Sequence, residues 1–158
     1  MTLAHNRGTM ALVRQLLPQV DEDRFDIRTN AGHIRIAADR YFVADVAVIP
    51  KTAADSWLDR PYELEEYNKP LPLVIEVWSR STGGYDVETK FPAYRLRGDL
   101  EIWRFQPYEH RVTIWRRQAD GSYSESEHRG GSVAVASLPG VRIDLDRAFR
   151  GLTLGPTG

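Results

Sequence analysis

Cysteine is absent from the 158 residues. That excludes disulfides, thiolate metal centres and cysteine nucleophiles, and it is compatible with a reducing cytoplasm. No apolar run approaches the roughly 20 residues of a membrane-crossing helix, so no membrane partner is expected. Residues 1–14 lack the basic start and apolar stretch of a secretory signal, which makes a cytoplasmic location the default expectation. A basic excess is missing too. The formal net charge is −1 and the sequence pI about 6.4, whereas nucleic-acid binders usually carry a basic footprint. Any surface for nucleic acid must therefore be a local patch. Internal repeats, low-complexity tracts and domain linkers are also lacking.

What is present is an ordinary globular composition. Hydrophobic residues make up 42% and charged residues 27%, values that suit a packed core rather than disorder. The length fits a single domain over 1–158.

The chain opens with Leu12, Val13, Leu16 and Leu17 at helical spacing, stopped by Pro18. Phe25–Arg28 and Ile34–Ile36 alternate apolar and polar on either side of Asn30-Ala31-Gly32, which predicts a hairpin. Tyr41–Ile49 and Leu73–Trp78 are almost wholly apolar, as strands buried on both faces are. Residues 51–70 read as a loop or short excursion over the sheet. A helix is predicted from Phe91 or Pro92 to near Gly98, because proline is welcome in a first turn and glycine at a helix end. Leu100–Phe105 and Arg111–Arg116 follow as strands, Asp120-Gly121 as a hairpin turn leading to Tyr123, then a short strand and a last turn at Asp146–Phe149. This order predicts an α+β, or mixed α/β, fold built on one central sheet.

Two acids stand where acids are costly. Asp45 interrupts Tyr41–Ile49 and Glu76 interrupts Leu73–Trp78. A buried carboxylate needs a cation, a set of hydrogen bonds or a metal ion. For one such acid a structural ion pair with an arginine is a sufficient account. Two on adjacent strong strands, followed by Lys90, favour a site. Carboxylates bind magnesium, or manganese in its place, and such an ion polarises a phosphate and acidifies a bound water. A lysine can orient that water or neutralise charge on the phosphorane. Asp86 and Lys90 taken alone would be an ordinary i,i+4 pair. His5 reads as a helix-start or surface histidine, and His33, His110 and His128 show no metal-ligand spacing. Gly83-Gly84 lacks the lysine of a phosphate loop.

Val43-Ala44-Asp45-Val46-Ala47-Val48, then Leu73-Val74-Ile75-Glu76-Val77-Trp78-Ser79-Arg80-Ser81-Thr82, resembles the Uma family of "putative restriction endonucleases", within the PD-(D/E)XK nuclease superfamily. Asp86, Lys90 and Tyr94 at intervals of four extend the resemblance, as do Gly98, Glu101-Ile102-Trp103, Leu138-Pro139-Gly140-Val141 and the opening Ala4-His5-Asn6-Arg7. The resemblance implies a restriction-endonuclease-like core, a central mixed sheet flanked by helices. It implies catalytic roles for Asp45, Glu76 and Lys90, with Asp45 and Glu76 as metal ligands. Asp86 would support Lys90 or the metal shell, and Arg80, which replaces a family proline, would bind phosphate or pair with Glu76. The superfamily lysine normally follows the second acid by two residues; Trp78 stands there, so the role passes to Lys90. The usual element before the His5 helix is expected to be missing.

The expected function is magnesium- or manganese-dependent hydrolysis of DNA by an endonuclease. The alternative is a catalytically inactive nuclease-fold domain for binding or assembly, and a non-nuclease metal hydrolase is a third reading. DNA is the expected partner. A homodimer is also expected, joined through the hairpin bearing Trp103, Tyr108 and Trp115.

Overall fold

The computed structural model describes residues 2–78 and 89–152. Helix α1 spans Leu3–Leu16; its start is capped by Thr2, whose hydroxyl accepts the His5 N–H. The strands that follow are β1 (Phe25–Thr29), β2 (His33–Ala37), β3 (Arg40–Phe42) and β4 (Val46–Pro50), and α2 is Lys51–Asp55. Next come β5 (Glu66–Tyr67), β6 (Leu73–Val77), α3 (Phe91–Arg97), β7 (Glu101–Gln106), β8 (Arg111–Arg117) and β9 (Tyr123–His128). Strands β10 (Ser132–Ala134) and β11 (Arg142–Asp144) and helix α4 (Leu145–Phe149) complete the described chain.

Six strands form the central sheet in the order β1-β4-β6-β7-β8-β9. Only β6 and β7 run parallel within it; the other pairs are antiparallel. The parallel pair needs a crossover, and α3 lies within it. The sheet has a core on each face. Val46, Val48, Leu73, Ile75 and Val77 join Leu12 and Leu16 of α1 on one side. Ala47, Ile49 and Val74 join Phe91 and Tyr94 of α3 on the other. This two-sided burial explains why β4 and β6 are apolar without alternation, as their sequences predict. The expectation of a mixed α+β fold around one central sheet holds.

Three local expectations do not. Phe25–Arg28 and Ile34–Ile36 are strands but not a hairpin. β1 pairs with β4, while β2 pairs with β3 and runs parallel to β5 in a separate three-stranded sheet. Phe25 and Ile27 pack toward the α1 core and Ile34 toward the α3 core, so the turn at Asn30 and Gly32 carries the chain from one layer to another. Tyr41–Ile49 is not one strand: it divides into β3 and β4, with Val43–Asp45 between them. Residues 51–70 hold α2 and β5 rather than loop alone.

The predicted α3 is found where Pro92 and Gly98 place it. Proline occupies its first turn, and Gly98 closes it at φ 85°, a left-handed conformation that favours glycine. Just beyond, Arg97 and Asp99 lock the layers together. Arg97 donates to Asp99 and to the Tyr67 and Lys69 carbonyls, while Asp99 accepts the Leu71 N–H at 2.8 Å. Burial pushes the Asp99 carboxyl above its ordinary range, against the pull of the Arg97 guanidinium and the Leu71 N–H. The pair is almost fully enclosed, with side-chain exposures of 6% and 0%. Replacing Arg97 by Leu should cost about 3–5 kcal/mol, because it strands a buried carboxylate and the carbonyls of Arg35, Tyr67 and Lys69. Urea unfolding of the variant checks this; a loss below about 1 kcal/mol would mean the pair is not a structural lock.

Candidate active site

Asp45 lies one residue before β4, and Glu76 is the fourth residue of β6. The β4–β6 register pairs Val46 with Ile75 and Ala47 with Val74. The ladder ends at Val46 and Ile75, and Asp45 and Glu76 are the next residues along the two strands. Parity along β6 directs Glu76 to the α3 face, since Val74 lies there, while Asp45, outside the ladder, turns its carboxylate to the Val77 N–H and to His5 of α1. Asp45 therefore meets β6 beside Glu76, through the Val77 N–H.

Each carboxylate is held by named partners. Asp45 Oδ2 accepts the Val77 N–H at 2.7 Å, and Oδ1 lies 3.0 Å from His5 Nε2. Glu76, only 2% exposed, accepts the Tyr94 hydroxyl at 2.6 Å and the Lys90 ammonium at 3.2 Å, both on Oε1. Lys90 occupies the N-cap position of α3, and its Nζ also stands 5.8 Å from the centroid of the Phe42 ring. The aromatic face and the carboxylate together offset the loss of water around that ammonium. Burial, then the charge and hydrogen bond of Glu76, hold the Tyr94 phenol well above its ordinary range, with smaller contributions from Asp99 and Asp45. Tyr94 thus stays neutral and donates to Glu76.

Of the residues that sequence reasoning singled out, Glu76 and Lys90 are in direct contact, and Asp45 meets the same strand at the Val77 N–H. Arg80 and Asp86 lie outside the described residues, as do Ser79, Ser81 and Thr82. His5 was underrated. It does stand in the first turn of α1, but its side chain is only 12% exposed and it faces Asp45, with Nδ1 buried and unpartnered among the described residues. Helical spacing alone could not find it, because the contact joins residues 40 positions apart in the chain. Arg104 was missed as well. It is the β7 partner of Glu76 in the parallel register, which adds a cation on the same face, and its guanidinium lies 5.8 Å from the Trp78 ring.

Among the described residues, no group of three or more His, Asp or Glu side chains is arranged to hold a metal ion. The expected dimer surface also needs correction. Trp103 is fully buried in the α1-side core, and Trp115 packs on Phe91 with ring centroids 5.0 Å apart. Both tryptophans serve the fold of this chain. None of the described helices is long and apolar enough to cross a membrane.

A family model described as Uma2, "putative restriction endonuclease", matches residues 1–149. The chain belongs to the Uma2 family. No curated protein matches it. Among solved structures, it is similar to a crystal structure of a "putative nuclease belonging to DUF820" from Anabaena variabilis ATCC 29413, with a TM-score of 0.70. That likeness spans 96% of this chain and 83% of the other at 17% identity, and speaks for the fold alone. The family expected from the sequence motifs and the expected fold are both found.

Glu76 can be tested as a member of a Uma2 site rather than of a structural ion pair. Losing one member of a structural buried pair typically costs about 3–5 kcal/mol. A carboxylate kept for chemistry is instead a burden on the fold. Glu76→Gln keeps an acceptor for Tyr94 and removes the buried charge, so its thermal midpoint should equal or exceed that of the parent. A drop corresponding to about 3 kcal/mol or more would return Glu76 to a structural role.

Proposed function

We propose that this Uma2 chain is a divalent-metal-dependent endonuclease that hydrolyses DNA phosphodiester bonds, with Asp45, Glu76 and Lys90 as its working centre. The observation that supports the reading is that Asp45 binds the β6 backbone at the Val77 N–H, next to Glu76, and that the Lys90 ammonium lies 3.2 Å from Glu76. The family description supports the same reaction class.

The donor set fits magnesium or manganese: two carboxylates supply hard oxygen ligands, and Asp45 and Glu76 would hold the ion. When bound, such an ion supplies Lewis acidity at phosphate and a more acidic water. The remaining work falls to the chain. The Val77 N–H and His5 fix the orientation of Asp45, and the Tyr94 hydroxyl fixes that of Glu76. Lys90, set by the start of α3 and by Phe42, would place positive charge against the phosphate oxygens as negative charge builds on them. Asp86 and Arg80 retain their proposed supporting roles, toward Lys90 and phosphate respectively.

A catalytically inactive nuclease-fold domain is the second reading, and one observation favours it. The two acids already engage His5, a backbone N–H, Tyr94 and Lys90, so an ion must compete with existing contacts.

Cleavage of supercoiled plasmid by purified protein, with each divalent ion in turn, separates the two readings. The parent should nick DNA, and Lys90→Ala should lower the rate on the order of a hundredfold or more. Asp45→Asn and Glu76→Gln should first weaken ion binding, with partial rescue at high manganese. Cleavage at the parent rate by Lys90→Ala, contamination excluded, would remove the lysine assignment. A parent that cleaves nothing under any ion supports the inactive domain.

A further inference from the structure

We infer that the cleft between α1 and α4 is a phosphate-backbone surface for duplex DNA, formed by Arg7, Arg14, Arg147 and Arg150 and separate from the carboxylate site. It deepens the nuclease reading by naming where a duplex is held, and it rests on that reading for the choice of DNA among polyanions.

The cleft encloses ≈ 380 Å³. All four arginines line it, and no Asp or Glu does. All four are exposed, and among the described residues none is paired with a carboxylate. The contrast with several other arginines is informative. Arg28, Arg35, Arg97, Arg111 and Arg116 all have carboxylate partners. In a chain of net charge −1, this is a local concentration of uncompensated cations.

The geometry suits an extended polyanion. Arg7 and Arg14 are seven residues apart and share one side of α1 with Met10. They rise about 10 Å apart along the axis, roughly the span of three phosphates on one strand of a duplex. Arg147 and Arg150 form the opposite wall. Arginine forks match phosphate oxygens better than point-charge ammonium groups do. The two walls are also fixed relative to each other. Gln15 donates to the Asp144 carbonyl at 2.9 Å and accepts the Asp144 N–H at 2.8 Å, which ties α1 to the start of α4. His5 projects from the other side of α1 toward Asp45, so the arginines contact a duplex away from the scissile position. Their contribution should therefore be independent of base sequence.

The test is binding of a fluorescent 30-base-pair duplex by the full chain, read by anisotropy in EDTA over a salt series. One variant carries Arg7→Gln, Arg14→Gln, Arg147→Gln and Arg150→Gln. A control of equal charge change carries Arg24→Gln, Arg60→Gln, Arg117→Gln and Arg129→Gln. Should the fourfold cleft variant fail to fold by circular dichroism, the pair Arg7→Gln and Arg14→Gln replaces it, with half the expected effect. Each phosphate contact contributes about 0.9 to the slope of log affinity against log salt, so the cleft variant should lose roughly three to four units of slope and bind at least about tenfold more weakly near 100 mM salt. The control should keep most of the parent slope. A cleft variant with the parent slope, a control that loses as much as the cleft variant, or a parent that binds no duplex at low salt would each overturn the inference. So would saturable binding of inorganic phosphate, at matched ionic strength, without duplex binding. Plasmid cleavage measured in parallel keeps the two ideas apart. Slope loss in a protein that never cleaves sustains the cleft and sinks the nuclease, while cleavage with an unchanged slope does the reverse.

Discussion

A carboxylate buried at the end of β6 constrains much of what surrounds it. Glu76 is enclosed between layers, and an ionised group there is tolerable only with charged or donating partners at contact distance. Those partners are Lys90 and Tyr94, one turn apart at the start of α3. Their joint requirement fixes where α3 begins and which side faces the sheet. Phe91 then falls into the core beside Trp115, and Tyr94 meets Phe42 of the small sheet. The pyrrolidine of Pro92 and the left-handed Gly98 bound the helix so that no further turn disturbs this placement. Arg97 and Asp99 secure its far end: Arg97 donates to the Tyr67 and Lys69 carbonyls, and Asp99 accepts the Leu71 N–H. Polar contacts at each end of a short helix thus set the α3 layer against the sheet.

The opposite layer reaches the same place by a different route. Helix α1 packs its apolar side on the other face, where Gly8 lets it approach Val77 and Phe105: a Cβ there would come within 3.2 Å of the Phe105 ring. That close approach carries the first turn to the end of β6, so His5 can reach around to Asp45. The break between β3 and β4 makes the meeting possible. Because Asp45 is released from the ladder, its carboxylate can accept the Val77 N–H in place of a cross-strand carbonyl. The site is therefore a junction of both layers with the sheet, and the backbone irregularity at Val43–Asp45 is part of its construction.

How much of this could be read from residues alone follows from which signals are local. The double-sided strand β6, the bounds of α3 and the Asp120-Gly121 hairpin are each written in a short stretch of residue types, and each is found where expected. The acids within apolar runs were visible for the same reason, since a carboxylate among valines is conspicuous without knowing its partner. Pairing was not legible. Alternation in Phe25–Arg28 and Ile34–Ile36 says that each is a half-buried strand but not whose edge it joins, and adjacency in sequence wrongly suggested a hairpin. His5 escaped notice because it declares itself only through Asp45, and Arg104 because it lies beside Glu76 only in the folded register. Trp103 and Trp115 were assigned to an outer surface because aromatic character does not distinguish a core from an interface.

Net charge is the other quantity that misleads when summed. A chain of charge −1 argues against nucleic acid only if its charges are spread evenly, and here they are not. Many carboxylates are committed to partners: Glu65 and Glu66 to Arg28 and Arg35, Asp99 to Arg97, Glu101 to Arg116. Each such pair contributes nothing to the field at long range, because its two charges cancel over a few ångströms. What a distant polyanion meets is the remainder, sorted by surface. The four arginines between α1 and α4 come from two segments more than 130 residues apart, so no window along the chain displays them as a cluster. Only the docking of α4 on α1, through Gln15 and the backbone of Asp144, assembles them. The same fold that pairs many charges internally leaves this group uncompensated, and an acidic protein thereby presents a basic cleft.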